Sequence, residues 1–175
     1  MKNLKNIVTL FVSITMFTTT ILAAEFVLKL AHNGPEIHPF QNGAERFKQV
    51  MEEETNGAVT VQIFPSEQLG SGEETSQMIK QGTIACAVES AGGGLAPFVS
   101  SADLFNLPFL FRDIPHFYRV LDGPVGSLIA RDVEDKLDAV FLGWWSSGVR
   151  NAWNAKRPVM KPDDLKGLKI RVMGS

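Results

Sequence analysis

The sequence predicts an α/β fold with a parallel sheet, and the order of its apolar patterns is the main reason. Three strand-like apolar runs alternate with two amphipathic helical patterns in the first half of the chain. Consecutive strands joined by helices form right-handed crossovers, in which the neighbouring strands run parallel. The composition agrees, because 45% hydrophobic residues and a net charge of −2 over 175 residues are typical of a globular protein.

The first 24 residues have the pattern of a secretory signal peptide. Lys2 and Lys5 make a basic start, residues 7–22 are apolar and uncharged, and Ala23-Ala24 offers a cleavage site. The apolar run is short for a membrane span, which takes about 20 residues. An uncleaved anchor is the alternative, because the residue three before the cleavage site is not alanine. We therefore expect residues 1–24 to be removed and the protein to be periplasmic.

The predicted elements of the first half follow the chain. The first strand is nearly all apolar, which predicts burial on both faces. The first helix carries apolar residues at helical spacing, and Asn56-Gly57 ends it. The five elements are a strand over Phe26–Ala31, a helix over Glu36–Thr55, a strand over Val59–Phe64, a helix over Glu73–Gln81 and a strand over Ile84–Glu89.

The second half is less regular. Gly92–Gly94 predicts a hinge or tight turn, and Asp103–Asp113 is too aromatic and too broken by proline for an ordinary helix. We predict Phe109, Leu110 and Phe111 to be core residues. The remaining expected elements are helices over Ile114–Leu121 and Pro124–Lys136, a strand of the main sheet over Ala139–Trp145, a helical turn before Gly167 and a strand over Leu168–Val172.

Motifs for catalysis, metals and nucleic acid are missing from the sequence. The glycine run lacks the lysine of a P-loop, no serine lies in a Gly-x-Ser-x-Gly elbow, and the three histidines lack metal-ligand spacing. Cys86, the single cysteine, lies in an apolar run and is expected to be a buried, unreactive thiol. We expect no enzyme activity, no cofactor, no metal and, without a basic patch, no nucleic acid partner.

Three charged residues are candidates for a binding site. Arg150 and Arg171 each lie beside apolar, strand-like sequence, and a guanidinium donates two parallel hydrogen bonds to a carboxylate. Most arginines are merely solvated, so spacing alone is weak support. Glu89 ends an apolar strand, where it either faces solvent or belongs to a site. In parallel sheets ligands bind beyond the carboxyl ends of the strands, which here are the loops 32–38, 66–73 and 89–95.

Several segments together resemble the solute-binding proteins of TRAP (tripartite ATP-independent periplasmic) transporters. The carboxy-terminal part shows Gly148-x-Arg150, then Asn154 to Pro158, then Asp-Leu-Lys-Gly-Leu-Lys-Ile-Arg-Val over residues 164–172. Leu-Pro-Phe-Leu-Phe-Arg-Asp over residues 107–113, followed by His116 and Leu-Asp-Gly, is also similar to that family. The resemblance covers essentially all of the chain after the signal peptide.

The resemblance implies a periplasmic-binding-protein-like architecture of two α/β lobes. Residues 25–147 would form a nearly complete lobe I, and residues 148–175 the hinge crossing and the start of lobe II. Family members are about twice as long, so we expect the remainder of lobe II to be missing from a truncated chain. The implied protein is a monomeric receptor that passes a small organic acid to the membrane subunits of a TRAP permease.

The resemblance also implies the roles of individual residues. Arg171 would hold the ligand carboxylate and Arg150 would assist. Glu89 matches a position that contacts substrate or water, and Asn33 and Ser71 match weaker contact positions. Residues 105–109 would pass close to the ligand. The sequence does not distinguish a C4-dicarboxylate from a sugar acid or a 2-oxo acid.

Two other interpretations stay open. A receptor for an ATP-driven transporter or a sensor kinase shares the lobe plan, although it should lack the Leu-Pro-Phe-Leu-Phe and Lys-Gly-Leu-Lys-Ile-Arg segments. A non-functional remnant is the second, since a partial lobe II predicts exposed apolar surface and weak binding.

Overall fold

The computed structural model describes residues 26–171. The predicted signal peptide lies outside these residues, as does Val172 at the end of the last predicted strand. Between residues 26 and 171, none of the helices combines the length and the apolar character needed to cross a membrane.

The helices and strands alternate as predicted through the first half of the chain. In order they are β1 (Phe26–His32), α1 (Pro39–Glu54), β2 (Val59–Phe64), α2 (Gly72–Lys80), β3 (Cys86–Val88), a π-helical turn (Ala91–Leu95), a 3₁₀ helix (Ser100–Asn106), α3 (Ile114–Leu121), α4 (Pro124–Leu137) and a second 3₁₀ helix (Pro162–Leu165). The second 3₁₀ helix confirms the helical turn expected before Gly167.

The sheet has three parallel strands in the order β2-β1-β3. Phe26 pairs with Val59 at one end of the β1–β2 ladder and Ala31 with Phe64 at the other, while Leu30 is opposite Cys86 in β3. Both neighbours of β1 are reached through a helix, which is why the strands run parallel. The predicted α/β fold with a parallel sheet is confirmed.

Local sequence signals set the ends of α1. His38 is its N-cap, and His38 Nδ1 accepts a hydrogen bond from the Phe40 amide at 3.2 Å. Pro39 follows at the first helical position, where its fixed φ suits the helix. Asn56 and Gly57 both have positive φ after the last turn, at 50° and 79°. The stop at Asn56-Gly57 therefore lies where the sequence places it, whereas the helix begins at Pro39, three residues after the predicted start at Glu36.

Two buried clusters hold this architecture together. Leu30, Ala44 and Val61 join α1 to the sheet, and residues of β3 pack around them. The second cluster joins the first 3₁₀ helix to α4 through Ala102, Val133 and their neighbours. The expectation that β1 is buried on both faces holds for the end of the strand, where the consecutive residues Leu30 and Ala31 are both buried, but not for its start, where Phe26 is 57% exposed.

The glycine run is helical, which corrects the predicted hinge or tight turn. Residues Ala91–Leu95 form the π-helical turn, and the Asn106 side-chain amide donates a hydrogen bond to the Gly92 carbonyl at 2.7 Å. A Cβ on Gly92 would collide with that same amide group. The missing side chain therefore serves close packing of Asn106 against the turn.

The strand predicted over Ala139–Trp145 does not form, and residues 168–171 are likewise not a strand within the described part of the chain. A β-strand needs a neighbouring strand for its backbone hydrogen bonds. Phe141 instead donates its amide proton to Glu134 Oε1 at 3.0 Å, and its side chain packs against the second cluster. Ala139 and Phe141 pack against the second cluster without backbone pairing, whereas Val140 and Leu142 are exposed.

Phe109 corrects the core expected for residues 109–111. Phe109 is 99% exposed and has a positive φ of 60°. Leu110 and Phe111 are half-buried, and they line an apolar pocket of about 310 Å³ together with residues of α3 and α4. Two of the three predicted core residues thus pack inward.

Candidate functional site

The loops that follow the strands meet at one edge of the sheet. The Ser66 amide donates to the Gly34 carbonyl at 2.9 Å, and the Glu67 amide donates to the His32 carbonyl at 3.3 Å. These two bonds join the loop after β2 to the loop after β1. Asn33 lies between the two accepting residues and is half-buried. The structure thus places Asn33 where the sequence analysis expects one wall of a cleft.

Ser71 is the N-cap of α2, and its side chain is engaged there. The Ser71 hydroxyl accepts from the Glu74 amide at 3.4 Å, and Glu74 Oε2 accepts from the Ser71 amide at 2.7 Å. This reciprocal capping box lowers the pKa of Glu74, chiefly through the backbone hydrogen bond from Ser71. Ser71 therefore begins the helix that borders the candidate site.

Glu89 follows β3 directly and turns its carboxyl group toward α2. The Thr75 hydroxyl donates a short hydrogen bond to Glu89 Oε1. Among the described residues Glu89 Oε2 is buried without a hydrogen-bond partner. A Cβ on either Gly72 or Gly94 would lie 2.5 Å from Oε2, so the carboxyl group occupies space left by two missing side chains. We call Glu89, Thr75, Gly72 and Gly94 the carboxyl seat.

The carboxyl seat changes the proton affinity of Glu89. Burial raises its pKa to about 7, the hydrogen bond from Thr75 opposes that rise, and the negative charge of Glu67 adds to it. A carboxyl group with such a pKa exchanges its proton near neutral pH. Strongly perturbed groups of this kind cluster at functional sites, although structural networks also produce them.

Thr75 connects two of the predicted site residues, and the sequence analysis missed it. Its Oγ1 lies 3.0 Å from the Ser71 carbonyl oxygen as well as within hydrogen-bond reach of Glu89. Thr75 is 2% exposed. The available signal was its position four residues after Ser71, which puts both on one face of α2. Ser71 and Glu89 are thus brought together through Thr75.

The two predicted arginines lie in a different part of the structure. Arg150 and Arg171 are both exposed, in the stretch after Trp145 that has no strand within the described residues. Their convergence on one cleft stays a prediction.

Arg157, from the same family-like segment, has a structural role. Its Nε donates to the Asp164 carbonyl at 3.1 Å, and its Nη2 donates to the Lys166 carbonyl. Asn154 Oδ1 in turn accepts from the Arg157 amide at 3.1 Å. Asn154 and Arg157 therefore hold a local loop, which explains why an asparagine and an arginine occur at this spacing.

Other chemistry receives little support from the described residues. Within residues 26–171, no cluster of three or more His, Cys, Asp or Glu side chains could hold a metal ion. Cys86 is half-buried, and burial raises the pKa of its thiol above the ordinary value, which disfavours the reactive thiolate.

Comparisons with known proteins agree with this architecture. The family model of DctP, bacterial extracellular solute-binding protein family 7, matches residues 30–175. The 2,3-diketo-L-gulonate-binding periplasmic protein YiaO of Escherichia coli (strain K12) is 34% identical over 91% of this chain and 48% of its own length. The C4-dicarboxylate-binding periplasmic protein DctP of Rhodobacter capsulatus is 32% identical over 88% of this chain and 46% of its own.

A solved structure shows the same fold. The TRAP periplasmic solute-binding protein from Chromohalobacter salexigens with bound D-glucuronate matches with a TM-score of 0.79 and 30% identity, over 85% of this chain and 48% of that chain. The chain spans about half the length of the curated relatives that it matches. The predicted likeness to TRAP solute-binding proteins and to their α/β fold is confirmed, and the chain belongs to family 7 of the bacterial extracellular solute-binding proteins, the DctP family.

Proposed function

We propose that this chain is part of a periplasmic solute receptor that binds a small organic acid and delivers it to a TRAP permease. The observation that carries the proposal is a buried carboxyl group at the edge where the strand-end loops lie, in a chain of the DctP family. The segments after β2 and β3 enclose the Glu89 carboxyl group, and the loop after β1 is hydrogen-bonded to the loop after β2. In parallel α/β sheets this edge is where ligands bind. The receptor itself performs no reaction and needs no cofactor, metal or nucleic acid, and it works as a monomer.

The ligand class follows from the relatives and from the side chains. The relatives named above are described with 2,3-diketo-L-gulonate, C4-dicarboxylates or D-glucuronate, all of which carry a carboxylate. Arg171 holds that carboxylate through its planar fork, and Arg150 assists. Asn33 and Ser71 contact the remainder of the ligand from the loops after β1 and β2.

The Glu89 carboxylate favours a ligand that carries hydroxyl groups. Each carboxylate oxygen has two lone pairs, so Oε1 keeps one for a ligand hydroxyl after accepting from Thr75. A sugar acid offers both the carboxylate for Arg171 and hydroxyl groups for Glu89. We therefore propose that the ligand is a sugar acid rather than a simple dicarboxylate.

The architecture of the receptor is part of the proposal. Residues 1–24 are the export signal, residues 25–147 lobe I, and residues 148–175 the hinge crossing and the start of lobe II. Closure of the two lobes would bring Arg150 and Arg171 toward the loops after the strands.

Thermal unfolding with a ligand panel tests the function. The chain is heated alone and with D-glucuronate, 2,3-diketo-L-gulonate, succinate or neutral glucose, since a ligand of the native state raises Tm. Because the chain spans about half the length of its relatives, the same panel is applied to a chimera in which it replaces the matched half of the E. coli relative.

The expected result is a rise in Tm with an acid and none with glucose. Arg171→Ala should abolish the rise, while Arg131→Ala, an exposed arginine of α4, should leave it intact. The proposal would be overturned if no acid raised the Tm of either protein. It would also be overturned if Arg131→Ala reduced the rise in Tm as much as Arg171→Ala.

A further inference from the structure

We propose that Thr75 is a positioning residue of the ligand site, whose hydroxyl fixes the orientation of the Glu89 carboxyl group between Gly72 and Gly94. The inference rests on the proposed function for the statement that Glu89 serves a ligand site. It adds a role for a residue that neither the family-like motifs nor the two arginines indicate.

The first argument is the hydrogen-bond capacity of the Thr75 hydroxyl. Three oxygens lie within reach of Oγ1: the Ser71 carbonyl at 3.0 Å, the Gly72 carbonyl at 3.2 Å and Glu89 Oε1. A hydroxyl has one proton to donate and lone pairs to accept with. With Glu89 ionised, the proton goes to the carboxylate, because a charged acceptor makes the stronger bond.

The same geometry also accommodates the protonated form. A neutral Glu89 can donate its own proton to Thr75 Oγ1, and Thr75 then donates to one of the two backbone carbonyls on α2. Both protonation forms keep the Glu89–Thr75 bond. The carboxyl group therefore stays in one place while its charge changes.

The second argument is the fit of the two glycines. A Cβ on Gly72 would lie 2.5 Å from Glu89 Oε2 and 3.1 Å from the Gly94 Cα. The N-terminus of α2 and the π-helical turn thus approach each other closely around the carboxyl group. The two glycines leave space for the carboxyl group, and Thr75 supplies its hydrogen-bond donor.

The charged residue that acts on the Glu89 carboxyl group is acidic, and so are the charged residues in the first turn of α2, whereas Lys80 lies in the last turn of that helix. Glu67 lies on the loop after β2, Glu73 and Glu74 lie in the first turn of α2, and Ala91–Leu95 carry no charged residue. Of these, Glu67 acts to raise the pKa of Glu89, whereas the Thr75 hydroxyl is the group that lowers it. Removing the hydroxyl should therefore favour the protonated form further.

The test is a carboxyl-carbon NMR titration of the full chain with ¹³C-labelled glutamate, in which Glu89→Gln identifies the Glu89 signal. Thr75→Val keeps the shape of the side chain and removes the hydroxyl, and Thr75→Ser restores the hydroxyl. We expect the Glu89 midpoint near neutral pH to rise by roughly one pH unit in Thr75→Val. It should return to the wild-type value in Thr75→Ser.

Gly72→Ala is a second variant, and it should shift the Glu89 midpoint in the opposite direction. Its methyl group should push the carboxyl group out of the seat, and the midpoint should fall toward that of an exposed glutamate. An unchanged Glu89 midpoint in a Thr75→Val variant that keeps a native circular dichroism spectrum would overturn the inference. If Thr75→Val does not fold, an unchanged midpoint in Gly72→Ala would overturn it. The titration uses no ligand, so failure of the acid panel would count against the proposed function and the ligand role of Glu89, but not against the positioning of Glu89 by Thr75.

Discussion

Two regions of the described chain differ sharply in how their apolar residues are used. Residues 26–145, here called the body, bury Leu30, Val61 and Ile129 to 3% exposure or less. Residues 146–171, here called the exposed segment, carry Trp153 at 90% and Met160 at 88% exposure. Both regions contain large apolar side chains, but the exposed segment is also rich in lysine, arginine and aspartate. Among the described residues, only the body has α-helices and paired strands against which apolar side chains can pack.

The exposed segment owes its shape to polar contacts made locally. The Met160 and Lys161 amides donate to Asp164 Oδ2 at 2.9 and 3.0 Å, and Arg157 binds nearby carbonyls. Exposed hydrogen bonds of this kind contribute little net stability. The segment should therefore open far more readily than the body.

Limited proteolysis should show the largest difference between the two regions. Local opening controls cleavage, and opening is easiest where few apolar groups are buried. Trypsin should cut first after Arg150, Lys156, Lys166, Lys169 or Arg171, since Arg157 and Lys161 precede prolines. Mass spectrometry of early digests identifies the sites. First cuts within α4, for example after Arg131, would show that the two regions do not differ as described.

Shortening a buried side chain of the body should lower the free energy of unfolding far more than shortening a side chain of the exposed segment. Ile129→Ala removes a side chain that is 1% exposed and should lower the free energy of unfolding by roughly 2–5 kcal/mol. Met160→Ala in the exposed segment is the matched control and should cost less than about 0.5 kcal/mol. Urea unfolding followed by circular dichroism measures both. Equal losses would mean that the exposed segment packs in solution.

The pH dependence of stability tests the buried acid of the body. The pKa of Glu89 is raised from its ordinary value of 4.5 to about 7, so between these values the folded state holds a proton that the unfolded chain has lost. The contribution is fully present below pH 4.5 and is lost as the pH rises through about 7. Stability should fall across this window by up to about 3 kcal/mol.

Glu89→Gln is the control for that pH dependence, because glutamine cannot titrate. Urea unfolding of both proteins at several pH values between 5 and 8 should show a steeper fall for the wild type. Parallel curves would mean that Glu89 is not buried in the way described.

The smallest expected effect concerns the helix cap. Ser71→Ala removes the side chain that caps α2 and should cost about 1 kcal/mol. Ser147→Ala, in the exposed segment, should leave the free energy of unfolding almost unchanged. Chemical denaturation resolves the difference, and a cost at Ser147 as large as that at Ser71 would contradict the comparison.

The fold of the first half could be predicted because its signals are local. Helical periodicity and the Asn56-Gly57 stop predict α1 without knowledge of distant contacts, although its start is displaced by three residues. The strand predicted over Ala139–Trp145 failed for the opposite reason. Strand-like sequence becomes a strand only beside a partner, and the partner is a tertiary property.

The candidate site was predictable only in outline. Glu89 could be singled out as a charged residue ending an apolar strand, and Asn33 and Ser71 were implied by family resemblance. The seat around Glu89 depends on Thr75 and on two glycines that approach from different elements. The spacing between Ser71 and Thr75 was a local signal, but the contacts that bring Thr75 and the two glycines to Glu89 join different elements and leave no pattern in a single sequence.

Amide hydrogen exchange with and without the most stabilising acid tests the central claim most directly, namely that the ligand binds at the carboxyl ends of the strands. We predict that added protection appears in residues 32–38, 66–73 and 89–95 and around Arg150 and Arg171. Protection confined to the apolar pocket between Leu104 and Ile129 instead would contradict the account.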